Sequence, residues 1–185
     1  MRVLAVCGSL RPASSTRNAL ALALAAAERG GAEIGWVDIS GLPWCDGRAA
    51  DAYGPVVDAF RAQVASADAL LVGSPEYHGS FTGVLKNALD LCGPEDLRGK
   101  FIGLVATARG DAGAMNTLNH LRQVSRWVGA WVLPAQVSVP RAGDAFDAAG
   151  QAVRPAIGDE LATLGQELVR YGRLLAADQA PDLSR

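Results

Sequence analysis

The segment that decides the fold is residues 3–18, Val3-Leu4-Ala5-Val6-Cys7-Gly8-Ser9-Leu10-Arg11-Pro12-Ala13-Ser14-Ser15-Thr16-Arg17-Asn18. It opens with five apolar residues in a row, which is typical of a strand buried on both faces, and Gly8 ends that strand. After a polar turn, apolar side chains recur at helical spacing from Ala19 to Glu28. A strand, a polar turn and a helix in this order predict the start of a β–α–β unit.

The rest of the chain repeats this alternation of short apolar runs and helical patterns. Further strands are predicted over residues 34–39, 69–72, 101–106 and 131–139, the last interrupted at Pro134. Helices are predicted over residues 56–64, 84–92, 115–128 and 157–175. The third strand is expected to end before Gly73-Ser74-Pro75. Five strands alternating with five helices predict an α/β fold, a doubly wound five-stranded parallel sheet with helices on both faces.

The composition is that of an ordinary globular protein. The chain has 185 residues, half of them apolar, with 19 acidic and 17 basic side chains and a net charge of −2. We therefore expect a single domain over residues 1–185, with a frayed tail from about residue 176. The nearly balanced charge gives no reason to expect nucleic acid as a partner. No signal peptide and no membrane span are apparent, so the expected location is the cytoplasm, away from membranes.

Three loops are expected to form a ligand site. In an open α/β sheet, ligands bind beyond the carboxyl ends of the strands, where the strand order reverses. The loops after the first, third and fourth strands, residues 8–18, 73–81 and 107–113, are rich in small and hydrogen-bonding side chains. Three widely spaced cysteines and two isolated histidines predict neither a disulfide framework nor a metal site.

The first loop has the composition of a phosphate-binding turn. Its hydroxyl and guanidinium groups are those of Ser9, Arg11, Ser14, Ser15, Thr16 and Arg17. Free N–H groups and the positive end of the helix dipole favour an anion at such a turn, and hydroxyls and guanidinium groups can bind phosphate oxygens. The alternative is that Ser15 or Thr16 only caps the helix, which would use one hydroxyl rather than several.

The second loop, Ser74-Pro75-Glu76-Tyr77-His78-Gly79-Ser80-Phe81, places two aromatic rings and a histidine at the mouth of the sheet. An aromatic ring beside exposed backbone suits a flat heterocycle, because the ring covers one face while N–H and C=O groups bind the edge. An ordinary turn, with Tyr77 packed and Glu76 in solvent, is an equally good interpretation of these residues alone. No G-x-G-x-x-G follows the first strand, so a Rossmann dinucleotide site is not predicted.

Two motifs resemble those of a known family. The first is Gly8-Ser9-Leu10-Arg11-x-x-Ser14 with Arg17, and the second is Pro75-Glu76-Tyr77-His78-Gly79-Ser80 followed by Gly83-Val84-Leu85-Lys86-Asn87-Ala88-Leu89-Asp90. From Met1 to about residue 175, the chain resembles the NADPH-dependent FMN reductase family, the flavodoxin-like group that includes bacterial quinone, chromate and azo-dye reductases. The resemblance implies a flavodoxin-like sheet with strand order 2-1-3-4-5.

The resemblance also implies which residues bind FMN. In the family, the first loop holds the FMN phosphate, the Pro-Glu-Tyr loop lies against the isoalloxazine ring, and the loop after the fourth strand completes the pocket. Carried over to this chain, the expected flavin-binding residues are Ser9, Arg11, Ser14, Ser15, Thr16, Arg17, Pro75, Glu76, Tyr77, His78, Gly79, Thr107, Ala108, Arg109 and Gly110. No catalytic side chain and no metal are expected, because the flavin carries the chemistry.

The chain departs from the family pattern at three positions. His78 follows Pro-Glu-Tyr where Asn is common, and Thr16 stands where Asn is common in the first loop. The third loop has fewer glycines than usual and carries Arg109, for which the flavin, the NADPH phosphate and solvent are all open as partners. Lys86 and Asp90 lie four residues apart on the next helix and are expected to pair across one turn rather than to act in catalysis.

The activity that the resemblance implies is a two-step transfer. Hydride passes from NADPH or NADH to bound FMN, and then to a small-molecule acceptor: a quinone, an azo compound, a metal oxyanion or free flavin. Family members commonly form homodimers or homotetramers, and here Trp127 and Trp131 would lie at such an interface or fill the core.

Three other functions remain open for the same sequence. They are a flavodoxin-like electron carrier, a doubly wound enzyme that binds a phosphorylated metabolite, and a flavin-sensing module without turnover. Electron carriers usually dock through a strongly acidic face, and a net charge of −2 is weak support for one.

Overall fold

The computed structural model describes residues 1–178, and its centre is a five-stranded parallel sheet. The strands are β1 (Arg2–Cys7), β2 (Glu33–Val37), β3 (Ala69–Pro75), β4 (Phe101–Thr107) and β5 (Trp131–Val139). Their order across the sheet is β2-β1-β3-β4-β5, and every neighbouring pair is parallel. The predicted fold class and the strand order 2-1-3-4-5 are confirmed.

Helices cover both faces of this sheet. They are α1 (Ser15–Arg29), α2 (Pro55–Ala65), α3 (Gly83–Leu91), α4 (Pro94–Leu97), α5 (Met115–Trp127) and α6 (Pro155–Asp178), with a 3₁₀ turn at Ala50–Tyr53. On one face, α1 and α6 bury Leu24 and Leu164 against the strands. On the other face, α2, α3 and α5 bury Phe60, Leu85 and Leu118. Two apolar layers enclosing one parallel sheet make the fold doubly wound.

The site is positioned by the point at which the strand order reverses. From β1 the chain crosses one face of the sheet to β2, and from β3 it crosses the opposite face to β4. Because β1 and β3 are neighbours, the loops at their carboxyl ends diverge and leave a crevice between them.

β3 is longer than predicted, because it continues through Gly73 and Ser74 to Pro75. The prediction that these residues end the strand is wrong, since their small size serves tertiary packing. A Cβ at Gly73 would lie 2.8 Å from the Leu20 Cδ1, and the Gly73 carbonyl accepts a hydrogen bond from the Gly8 N–H at 2.7 Å. Pro75 is the last residue of the strand, and the Thr107 carbonyl of β4 accepts its hydrogen bond from the next N–H, that of Glu76, at 2.7 Å.

β5 extends from Trp131 to Val139, and the interruption predicted at Pro134 is present as a shift in its pairing register with β4. Proline is tolerated here because β5 lies at the edge of the sheet. The Arg122 guanidinium stabilises the irregular segment by donating to the Leu133 carbonyl at 2.9 Å.

Helix ends also differ from the sequence pattern. α1 begins at Ser15 rather than Ala19, because Ser14 caps it. α6 extends to Asp178, and the rest of the tail for which fraying is predicted, residues 179–185, lies outside the described residues. The short α4 and the 3₁₀ turn were not predicted, since four residues carry no readable period. Within residues 1–178, no helix has the length and apolar character needed to cross a membrane.

Candidate active site

A cavity of about 500 Å³ opens at the carboxyl end of the sheet. Its lining residues are Ser9, Arg11, Ala13, Ser14, Ser15, Thr16, Pro75, Glu76, Tyr77, His78, Thr107, Ala108, Arg109, Ala142 and Gly143. The three loops expected to form a ligand site therefore meet around one cavity. Of the residues expected to bind a flavin, all except Arg17, Gly79 and Gly110 line it.

Sequence reasoning missed part of the wall. Ala142 and Gly143 belong to the loop after β5, and this loop is joined to the others by hydrogen bonds. The Ala142 N–H donates to the Ala108 carbonyl at 2.9 Å, and the Ser15 Oγ donates to the Ala142 carbonyl at 2.6 Å. The only available signal was position, because the carboxyl end of β5 lies beside that of β4. Small apolar side chains such as Ala13 and Ala142 carry no chemical signature of a site.

The hydroxyls of the first loop have different contacts. The Ser14 Oγ accepts a hydrogen bond from the Arg17 N–H at 3.2 Å and so caps α1. A capping hydroxyl was one of the two predicted interpretations, but Ser14 fills that position rather than Ser15 or Thr16. The Oγ1 atoms of Thr16 and Thr107 lie 2.7 Å apart, and these residues are only 2% and 4% exposed. One hydroxyl hydrogen serves that contact, so the second can be donated to a ligand in the cavity.

The backbone of the first loop offers a row of donors. Among the described residues, no protein group accepts a hydrogen bond from the N–H groups of residues 9–11 and 13–16. These groups precede or begin the 15-residue helix α1, whose dipole places partial positive charge at this end. Arg11 adds a full positive charge to the same wall. N–H donors, hydroxyls and a guanidinium in this arrangement suit a phosphate group.

Behind the cavity, hydrogen bonds fix the first loop to the second. The Thr82 Oγ1 donates to the Gly8 carbonyl at 2.7 Å, and the Thr82 N–H donates to the Ser74 Oγ at 3.0 Å. A Cβ at Gly8 would lie 3.0 Å from both the Thr82 Oγ1 and the Leu85 Cβ. The close approach of the two loops therefore requires glycine at position 8.

The second loop ends in a tight turn with His78 and Gly79 at its tip. Tyr77 and Ser80 exchange two backbone hydrogen bonds, of 2.9 and 3.2 Å. His78 and Gly79 have φ angles of 54° and 79°, and a type I′ turn requires positive φ at both central positions. Histidine is one of the few residues other than glycine that is enriched at positive φ. The turn holds Tyr77 half-exposed at the cavity mouth, so the interpretation in which Tyr77 is packed is wrong.

Glu76 connects the second loop to α5. Its Oε2 accepts hydrogen bonds from the Thr117 N–H at 3.1 Å and from the Thr117 Oγ1 at 3.0 Å. The N-cap residue of α5 is Ala114, which has no capping side chain, so Glu76 supplies the acceptor from another part of the chain. A carboxylate at this helix end is also favoured by the helix dipole. The expectation that an ordinary turn would leave Glu76 in solvent is therefore wrong.

The arginines of the three loops have different positions. Arg11 and Arg109 are exposed, line the cavity and form no ion pair within residues 1–178. Arg17 lies outside the cavity, with its guanidinium 4.1 Å from the centre of the Trp36 ring. The charged groups that line the cavity are thus two guanidinium groups and the carboxyl group of Glu76. This balance favours an anionic ligand.

The Cys7 thiol and the Lys86–Asp90 ion pair are structural. Cys7 is buried behind the first loop, 3.6 Å from the Ser9 carbonyl, and burial raises the pKa of its thiol. It therefore stays a neutral thiol, which is a poor nucleophile. Lys86 and Asp90 form the predicted ion pair at 2.6 Å on the surface of α3. No group of three His, Cys, Asp or Glu side chains suited to a metal occurs in the described part of the chain.

Known proteins share this sequence over most of its length. Residues 1–144 match the family model of NADPH-dependent FMN reductases. The chain is 36% identical over 156 residues to an NAD(P)H-dependent FMN reductase of Pseudomonas aeruginosa, a match that covers 82% of this chain and 84% of that protein. It is 39% identical over 129 residues to an NAD(P)H:quinone oxidoreductase of Solanum tuberosum, covering 67% of this chain and 66% of that protein.

The fold is shared as well. FerB, a flavoenzyme NAD(P)H:(acceptor) oxidoreductase from Paracoccus denitrificans, superposes with a TM-score of 0.78 at 25% identity, over 94% of this chain and 97% of that chain. The region matched by the family model contains all five strands and every loop that lines the cavity. The chain therefore belongs to the NADPH-dependent FMN reductase family.

Proposed function

We propose that this chain binds FMN in the cavity at the carboxyl end of the sheet and transfers hydride from NADPH or NADH to a quinone. As a member of its family, the chain is an NAD(P)H-dependent oxidoreductase with FMN as cofactor. The observation that carries the assignment to this cavity is the meeting of an anion-binding loop and an aromatic turn around it. FMN has the matching division into an anionic phosphate and a flat ring.

The first loop is the proposed phosphate site. The free N–H groups of residues 9–11 and 13–16, the Arg11 guanidinium and the end of the α1 dipole all favour a dianion. The Thr16–Thr107 pair has one hydroxyl hydrogen left to donate, and a phosphate or ribityl oxygen would accept it. Ser14 contributes indirectly, because its hydroxyl holds the first turn of α1 in place.

The second and third loops are the proposed site of the isoalloxazine ring. Tyr77 offers an aromatic surface at the mouth, and the Tyr77–Ser80 turn exposes backbone next to it. Arg109 and the backbone around Thr107 and Ala108 face the cavity from the end of β4. A guanidinium near the ring stabilises negative charge on it, which favours the reduced form of the cofactor.

Bound FMN supplies the chemistry, since it accepts hydride from a reduced nicotinamide and passes it to an acceptor. The protein then has to hold the ring with one face accessible and keep the loops fixed. The hydrogen bonds from Thr82 to Gly8 and Ser74, together with the contact of Glu76 with α5, serve the second task. Arg109, which has no ion-pair partner within residues 1–178, is also available to the 2′-phosphate of NADPH.

A quinone is the proposed acceptor because relatives are quinone reductases by name. Besides the potato protein, a 2-hydroxy-1,4-benzoquinone reductase of Burkholderia is 36% identical over 132 residues. A quinone is a flat carbonyl compound and can stack on the same accessible face as the nicotinamide. Azo compounds, metal oxyanions and free flavin are the other acceptors to be compared in the same assay.

The visible spectrum of the purified protein, loaded with FMN, tests this function. We expect the bound flavin bands to bleach when NADPH or NADH is added without oxygen, and to return when 1,4-benzoquinone is added. If the flavin bands return with an azo dye, chromate or free flavin but not with quinone, the acceptor is that compound rather than a quinone. FMN that stays bound without any bleaching would favour an electron carrier or a flavin-sensing module. Protein that gains no thermal stability from FMN would favour an enzyme for a phosphorylated metabolite.

Three further properties belong to the same proposal. We propose one domain over residues 1–185, since α6 packs on α1 beyond the region that the family model matches. We propose a cytoplasmic location, which suits the free thiols of Cys7, Cys45 and Cys92.

We propose a homodimer or homotetramer, supported by the exposure of Trp127 and Trp131, which are 90% and 62% exposed. The alternative that these two rings fill the core of the chain is wrong.

A further inference from the structure

His78 is an exposed residue that lines the cavity, and its imidazole has no hydrogen-bond partner among the described residues. We propose that His78 donates the proton that a quinone requires when it is reduced in this cavity. This inference rests on the proposed function and adds one catalytic side chain to it.

The stoichiometry of the reaction calls for a proton in addition to the hydride. A quinone becomes a hydroquinone by gaining two electrons and two hydrogen nuclei, and hydride supplies both electrons but only one nucleus. The second arrives as a proton: an N–H bond of the His78 imidazolium breaks, and an O–H bond forms on the quinone oxygen. The imidazole is left neutral and takes a new proton from water, which reaches it because the side chain is exposed.

The other ionisable side chains that line the cavity are poorer donors. The guanidinium groups of Arg11 and Arg109 do not release protons in proteins. The Glu76 carboxyl group is engaged as an acceptor by Thr117. The phenol of a tyrosine such as Tyr77 is a far weaker acid than an imidazolium. Histidine is the side chain that normally exchanges a proton between pH 5 and 8, which leaves His78 as the donor.

The turn fixes the place of this imidazole. His78 has a φ of 54°, between the paired residues Tyr77 and Ser80. Both ends of the turn are attached to α5, through Glu76 and through the contact of the Ser80 Oγ with the His120 Nδ1 at 3.0 Å. A donor carried by a turn with these attachments is better positioned than one on a loose loop. The charged and titratable groups around the turn are Glu76, Tyr77, His120, Arg11 and Arg109.

Two substitutions remove the proton donor while keeping the turn. Asn and Gly both adopt positive φ readily, so His78→Asn and His78→Gly retain the type I′ geometry. The control is Glu160→Gln, which removes an exposed titratable side chain of α6 at a position outside the cavity lining. Each FMN-loaded variant is reduced with NADPH and then reoxidised with 1,4-benzoquinone or with ferricyanide, which takes one electron and no proton.

The measured quantity is the ratio of the quinone rate to the ferricyanide rate. We expect this ratio to fall at least about 10-fold in both His78 variants and to be retained in Glu160→Gln, since general acid catalysis typically contributes 10²–10⁴-fold. In the wild type the ratio should depend on pH, because the donor has to carry a proton to react. That dependence should disappear in the variants, and added imidazole should partly restore the rate of His78→Gly.

A binding experiment gives a readout that is independent of turnover. The anion 2,4-dinitrophenolate imitates the oxygen that receives the proton. The FMN-loaded wild type should bind this anion more tightly than His78→Asn does, and the affinity should depend on pH in the wild type but not in His78→Asn.

The outcomes separate the donor role from the proposed function. An unchanged quinone-to-ferricyanide ratio in both variants would overturn the donor role while leaving the reductase intact. Equal losses with both acceptors would also overturn it, since they would mean that His78 positions the flavin. A wild type that reduces ferricyanide but no quinone would contradict the proposed acceptor. In that case, binding of dinitrophenolate that does not depend on pH would also contradict the role of His78 as proton donor.

Discussion

Three of the four hydroxyl groups in the first loop look alike in the sequence but have different contacts in the structure. Ser14 caps α1, Ser15 bonds the loop after β5, and Thr16 pairs with Thr107. The two arginines of the loop differ in the same way, because Arg11 lines the cavity while Arg17 lies on Trp36. At the scale of single residues, the composition of a loop indicates the ligand class but does not assign the contacts.

The two arginines provide a direct test of the phosphate site. We expect Arg11→Ala to raise the dissociation constant for FMN by about 10- to 100-fold, because a hydrogen bond to a charged group contributes about 1.5–3 kcal/mol. Arg17→Ala serves as the matched control from the same loop and should leave the constant nearly unchanged, since Arg17 does not line the cavity. Fluorescence titration of the apoprotein with FMN measures both. An equal loss of FMN affinity in the two variants would contradict the assignment of the phosphate to Arg11 rather than Arg17.

Ser14 acts through the helix rather than through the ligand. Ser14→Ala should lower the free energy of unfolding by about 0.5–2 kcal/mol, which is the usual effect of losing an N-cap. Urea denaturation without FMN measures this loss, with Ser9→Ala as the control, since Ser9 lines the same wall outside the helix. A normal stability of Ser14→Ala together with weak FMN binding would instead assign Ser14 to the phosphate.

One contact between a loop and a helix holds two elements of the site together. α5 has no capping side chain at its N-terminus, and Glu76 of the second loop fills that position. The second loop therefore supplies the hydrogen-bond acceptor for the first turn of α5, and the same contact fixes the orientation of the loop.

Removal of this contact should affect both elements. We expect Glu76→Ala to lower the free energy of unfolding by about 1–3 kcal/mol, because it leaves the Thr117 N–H and hydroxyl without their acceptor. Glu76→Gln should lose less, since its amide oxygen can still accept. Glu160→Ala, which removes an exposed carboxylate of α6, is the control and should change stability by less than about 0.5 kcal/mol. Urea denaturation measures the series, and equal values for Glu76→Ala and Glu160→Ala would refute the capping role.

Two glycines of α6 test how closely α1 and α6 pack. A Cβ at Gly165 would collide with the Ala23 carbonyl oxygen of α1, whereas a Cβ at Gly158 would lie at an ordinary 3.5 Å from the Ala152 Cβ. We expect Gly165→Ala to destabilise by about 1–3 kcal/mol or more, and Gly158→Ala to be neutral or to stabilise by up to about 1 kcal/mol. Thermal unfolding of both variants checks this, and a stable Gly165→Ala would mean that the two helices are farther apart.

For the whole molecule, the exposed aromatic residues carry the clearest expectation. Trp127 and Trp131 lie at the end of α5 and the start of β5, and both are largely exposed. Light scattering of the wild type should give a mass twice or four times that of one chain. The double variant Trp127→Ser/Trp131→Ser should have a mass closer to that of one chain, because the exposed apolar surface is lost. Trp44→Ser is the control, because Trp44 is 71% exposed on a separate loop. A wild-type mass equal to one chain would reject the homo-oligomer.

The sequence by itself determined the fold class and the loops that meet at the cavity, whereas the strand order was implied by the resemblance of two motifs to those of a known family. The fold class follows from short-range signals, because unbroken apolar runs predict strands buried on both faces, and the site loops follow from the rule that ligands bind at the carboxyl ends of such strands. Ser9 to Thr16 and Pro75 to His78 were identified because hydroxyl, cationic and aromatic groups are chemically distinctive.

Only the tertiary structure decided the contacts between segments that are distant in the chain. Gly73 is a strand residue because Leu20 packs against it, Glu76 caps α5 because Ala114 cannot, and Ala142 and Gly143 line the cavity because β5 lies beside β4. Such contacts leave no local pattern, since each depends on which residues the fold brings together rather than on the residues next to it in the sequence.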